Sequence, residues 1–152
     1  MKRSLVIGFG NTLRGDDGAG VHAAHLIAQR MQDVETMSVH DLQPELAEKL
    51  AQFENVVFLD ASVRTASVML TPIEPEPADM RESSHTRSPG ALLHLCDQLY
   101  GRSPARALLA EIPAVETGFS EQLSPAAVEA VHECVRRVSE WIGNTTTHGV
   151  SS

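Results

Sequence analysis

A chain of 152 residues with 42% hydrophobic and 4% aromatic residues suits one domain, able to bury roughly 68–70% of its unfolded surface. Its core must come from Leu, Val, Ile and Ala rather than from rings. The formal net charge of −8 lacks the basic face that nucleic acid or an anionic membrane surface demands, which argues against both partners and favours a neutral or basic macromolecule.

Read in chain order, Leu5–Gly8 is a continuous apolar run suited to a strand buried on both faces. Gly20–Met31 carries Val21, Ala24, Ile27 or Ala28, and Met31 at helical spacing. Val34–Val39 reads as a second strand, and Leu46, Leu50 and Phe53 as a short helix after Pro44. Asn55–Asp60 is the strongest central strand. Ser67–Leu70 reads as a fourth, nearer an edge, and Thr71–Arg87, with three prolines and several charges, as a long loop. Ser88-Pro89 starts a helix to Tyr100, an N-cap followed by proline at the first helical position. Ala105–Ile112 reads as a fifth strand. Ser124-Pro125 repeats the start signal before a stripe of Val128, Val131, Val135, Val138 and Trp141 or Ile142.

This alternation predicts an α/β fold: one three-layer domain over residues 1–142, with a mostly parallel, twisted five-stranded sheet covered by helices on both faces. Residues 143–152 read as a disordered polar tail. Cys96 and Cys134 form no C-x-x-C pair and fall in helical patterns, the mark of buried free thiols in a reducing compartment. The apolar run after Met1-Lys2-Arg3 stops at Gly8, too short for a secretory leader, and no run reaches the length of a membrane span. A cytoplasmic location is expected.

The segment from Gly8 to Gly20, GFGNTLRGDDGAG, follows the first strand directly. A strand, a glycine-rich turn and a helix usually bind phosphate. Here Leu13 stands at the third position of the dinucleotide fingerprint, no P-loop lysine follows, and Asp16 and Asp17 would repel the ligand. No nucleotide cofactor is expected, and the turn reads as one that fixes side chains above a strand end. Negative charge there suits capture of a cation.

Ligands of open α/β sheets bind beyond the carboxyl ends of the strands. Asp17 after the first strand, Asp60 at the end of the third, and His85 before the Ser88 helix are expected to converge there. Two carboxylates and an imidazole form a mixed oxygen and nitrogen site for a divalent transition metal, or a set of general acid–base groups. Structural roles compete: Asp16 or Asp17 as N-cap of the first helix, Asp60 as a turn residue bonding the Ser62 amide, and Asn11 bridging backbone groups in the turn. His22 and His25 lie three apart on the first helix but toward its polar side. No G-x-S-x-G elbow and no H-E-x-x-H helix is present.

With these residues in place, the chain resembles the maturation endopeptidases of nickel–iron hydrogenases. The stretch Gly8–Gly20 looks like that family's opening signature, and the likeness continues through Phe58-Leu59-Asp60-Ala61, Ser84-His85 and Leu123-Ser124-Pro125, covering about residues 3–142. The resemblance implies that Asp17, Asp60 and His85 form the catalytic, metal-contacting site. It implies as substrate a nickel-loaded precursor of a hydrogenase large subunit, which supplies the nickel and loses its C-terminal extension. The acidic loop flanking His85 is then a further docking element. One departure stands out: many members carry a glycine-rich turn after the second strand, where this chain has His40–Leu46, HDLQPEL, pointing to a subgroup with its own hydrogenase.

Two other readings use the same residues. A non-catalytic chaperone that checks nickel loading would need the same carboxylates and histidine. A peptidyl-tRNA hydrolase-like enzyme also opens with a strand and Gly-x-Gly-Asn, but Thr12 and the acidic balance oppose it.

Overall fold

The computed structural model describes residues 3–78 and 88–151. Five strands, β1 (Ser4–Phe9), β2 (Glu35–Val39), β3 (Asn55–Ser62), β4 (Met69–Ile73) and β5 (Arg106–Pro113), alternate with four helices, α1 (Ala19–Arg30), α2 (Leu46–Leu50), α3 (Pro89–Tyr100) and α4 (Pro125–Ser151). They form one sheet of order β2-β1-β3-β5-β4, parallel throughout except for the antiparallel β4–β5 pair. The mostly parallel three-layer α/β architecture expected from the strand–helix alternation is therefore present.

The sheet splits the core into two layers because successive side chains on a strand leave opposite faces. Val6, Val57, Leu59, Leu108, Ala110 and Ile112 pack with Ala24 and Ile27 of α1 and Val131, Val135 and Val138 of α4. On the other face, Leu5, Ile7, Val56 and Phe58 pack with Ala47 and Leu50 of α2 and Leu92, Leu93 and Cys96 of α3. Leu5, Val6 and Ile7 are wholly buried, as a central parallel strand requires. Helix α1 lies so close to the sheet that a Cβ at Gly20 would overlap the Leu59 carbonyl; glycine there sets the depth of the helix.

Both Ser-Pro signals mark true helix starts. The Ser88 hydroxyl accepts the Ala91 amide at 3.3 Å and that of Ser124 the Ala127 amide at 3.2 Å. Both cysteines are buried and free.

Several boundaries move. Strand β4 begins at Met69 rather than Ser67 and takes in Thr71–Ile73 from the expected loop. Pro72 is tolerated because β4 is an edge strand. The α4 stripe begins at Ala127 and Val131, while Val128 faces water. Among its described side chains the last deeply buried apolar one is Ile142, and the helix backbone continues to Ser151, through the segment read as a polar tail. Among the described residues, no helix is long and apolar enough to cross a membrane.

Candidate active site

The sheet order places β1 between β2 and β3, so the chain leaves β1 in one direction and returns in the other. That reversal opens a crevice outside the carboxyl ends of β1 and β3, where doubly wound sheets bind ligands. Asp17 and Asp60 both lie there.

The turn after β1 is built from its own polar groups. Gly10 has φ +139°, backing its Cα against the Asp17 carbonyl where a side chain would collide. The Asn11 amide donates to Asp17 Oδ2 at 2.7 Å, and Asn11 Oδ1 accepts the Leu13 amide at 2.9 Å. Asn11 thus bridges the turn as its residue type suggests. In a phosphate loop such an N–H would face the anion; here a carboxylate of the chain already takes it. Residues Gly15–Gly18 then form a short 3-10 helix, not foreseen from the sequence, that leads into α1.

The two adjacent aspartates have separate tasks. Neither caps α1, whose N-cap is Gly18 with no side-chain cap bond. Asp16 is wholly buried and reaches across the fold. Its carboxylate accepts the amides of Val115 (2.8 Å), Glu116 (2.9 Å) and Ser124 (2.7 Å) and the Ser124 hydroxyl (2.7 Å). Burial pushes its pKa up, but these hydrogen bonds outweigh that and hold it below the usual carboxylate range. Asp16 is the tie between the β1 turn and the start of α4. Asp17 is left half-buried in the crevice.

Asp60 lies within β3 rather than at its end, since the strand runs on to Ser62. Its carboxylate accepts the Ala61 amide, not that of Ser62, whose own hydroxyl accepts the Arg64 amide at 3.2 Å. Burial pushes the Asp60 pKa up to about 7, and the negative charges of Glu111 and Asp17 add to the rise. Glu111 escaped the sequence reading. It follows Ala107 and Leu109 on one face of β5, so period-two alternation puts a charge at the end of an apolar face; only strand pairing reveals that Asp60 stands beside it.

His85 lies outside the described residues. Among those described, no three or more His, Cys, Asp or Glu side chains form a group that could hold a metal ion. His25 is exposed and His22 partly so; burial and the neighbouring His25 lower the His22 pKa. His40, in the segment that departs from the family pattern, bonds Asp41 at 3.0 Å on the surface. The β1 turn and the end of β2 border an open groove of about 350 Å³ lined by Asn11, Leu13, Val21, Val39 and His40.

No protein-family model matches the sequence, and no curated protein matches it. Solved structures do resemble it. The hydrogenase maturating endopeptidase HybD from E. coli superposes with a TM-score of 0.75 at 19% identity, covering 94% of this chain and 93% of that one. The nickel–iron hydrogenase maturation protease HybD from Thermococcus kodakarensis gives 0.68 at 23% identity, over 91% and 98%. The hydrogenase 2 maturation peptidase from a Thaumarchaeota archaeon gives 0.69 at 24% identity, over 93% and 99%. The chain shares the fold of these proteases along nearly its whole length.

Proposed function

We propose that this protein is an endopeptidase that removes the C-terminal extension from a nickel-loaded precursor of a hydrogenase large subunit. The observation that carries the reading is the placement of Asp17 and Asp60 together at the carboxyl ends of β1 and β3, close enough for the charge of one to raise the pKa of the other. The shared fold and the opening signature around Asp17 support it.

In this reading the nickel belongs to the substrate. Asp17 and Asp60 offer oxygen ligands and His85 a nitrogen, completing a coordination sphere that the precursor has partly filled. Docking sets the scissile peptide beside the ion, which polarises its carbonyl or activates a water. An ion lost or not yet inserted leaves mutually repelling carboxylates, so cleavage waits on loading. The two reduced, buried thiols fit a cytoplasmic setting.

The test is direct. Mixing the protein with purified nickel-loaded precursor and weighing the products by mass spectrometry should show loss of a C-terminal peptide. An intact precursor held in a stable complex would instead make the protein a nickel-checking chaperone.

A further inference from the structure

Four large apolar side chains stand in water on the loops at the carboxyl edge of the sheet. Leu13, Val63, Val115 and Phe119 are 51%, 70%, 68% and 91% exposed. Each follows the carboxyl end of a strand: Leu13 after β1, Val63 after β3, Val115 and Phe119 after β5. Backbone hydrogen bonds join their loops into one surface. The Ser120 amide donates to the Leu13 carbonyl at 3.0 Å, setting Phe119 near Leu13, and the Ala114 amide donates to the Ser62 carbonyl at 2.9 Å, setting Val115 near Val63. The Val115 amide on the Asp16 carboxylate links the two pairs.

Folding does not account for this arrangement. A Phe side chain gains stability by leaving water, and Phe119 forgoes nearly all of that gain. Clustered apolar exposure marks an interaction surface. Among the described residues, the charged side chains on these loops and strand ends that are not buried are Asp17, Asp60, Glu111, Glu116 and Glu121 against Arg14 and Arg64. The Arg14 Nε donates to the Thr117 carbonyl at 3.4 Å.

We propose that Leu13, Val63, Val115 and Phe119 form a docking surface for an apolar, neutral-to-basic segment of the substrate polypeptide, held beside the Asp17–Asp60 crevice. The proposal rests on the endopeptidase reading and names how its substrate is gripped. Two observations choose this occupant: the patch is continuous with the crevice through the Leu13–Asp17 turn, and the rim carries an excess of negative charge.

The test compares the full-length wild-type chain with V115S/F119S, using nickel-loaded precursor as the probe. Initial rates over a range of precursor concentrations should show KM raised roughly 10- to 100-fold while kcat stays within about twofold, as expected when binding contacts alone are lost. The thermal midpoint should not move, since both side chains are exposed. Val63→Lys should weaken binding more than Val63→Glu. An unchanged KM overturns the proposal, as does a free protein that is dimeric and becomes monomeric in V115S/F119S, because the patch would then be a self-interface. Failure of the parent reading looks different: the wild-type chain binds precursor without cutting it, and V115S/F119S still weakens that binding.

Discussion

Asp60 of β3 and Glu111 of β5 are register partners across a parallel strand pair, so their side chains leave the sheet on the same face at its carboxyl edge. Burial, the repulsion of Glu111 beside it and that of Asp17 approaching from the β1 turn all oppose ionisation of Asp60. A bound cation would relieve that repulsion; a proton does so in its absence.

The metal-free stability of the protein should therefore depend on Asp60 in a defined direction. Its folded pKa of about 7 lies above the unfolded value of about 3.9, so the fold favours the protonated form. The stabilisation is full below about pH 4 and is lost as pH rises toward 7. In chelator-treated protein, Asp60→Asn should raise the melting temperature by several degrees at pH 8 and barely alter it at pH 4. Equal shifts at the two pH values would show that Asp60 is not ionised against its neighbours.

Asp16 should behave in the opposite sense. Replacing it by Asn leaves amides of Val115, Glu116 and Ser124 short of acceptors, at a cost on the order of 3 kcal/mol near neutral pH. Because its folded pKa is depressed, its contribution is present above about pH 4 and disappears as pH falls through the folded value. Denaturant titrations of wild type and Asp16→Asn should converge toward acid pH. A constant gap would remove the ionised carboxylate from the account.

Gly20 sets how near α1 lies to the sheet. Gly20→Ala should cost on the order of 2 kcal/mol by forcing the helix away from Leu59, and it should slow cleavage, because α1 follows directly from the turn that carries Asp17. A variant as stable and active as wild type would mean that the helix has room to spare.

The cysteines should be inert. Burial raises the Cys96 thiol to about 11 and the Cys134 thiol to about 12. Iodoacetamide at pH 8 should label neither in the folded protein and both after denaturation. Rapid labelling of the native chain would show that one of them is exposed.

Much of this was legible in the sequence because it is local. Ser88-Pro89 and Ser124-Pro125 mark helix starts through chemistry confined to three or four residues, and Leu5-Val6-Ile7 and Val56–Leu59 report two-sided burial through composition alone. The rest depends on contacts that no window contains. Asp16 looks like the cap of the nearest helix, yet its partners lie about a hundred positions away. Glu111 becomes notable only once β5 is known to pair with β3 in register. Thr71–Ile73 reads as the start of a loop because Pro72 breaks strand propensity, and pairing with β5 overrides it.

The sharpest single measurement is the rate at which Asp17→Asn and Asp60→Asn chains, checked to be folded, process nickel-loaded precursor. Each should fall by at least about a hundredfold relative to wild type if both carboxylates contact the ion at the cleavage site. Wild-type rates in both variants would contradict the account, leaving the paired carboxylates without a part in the reaction.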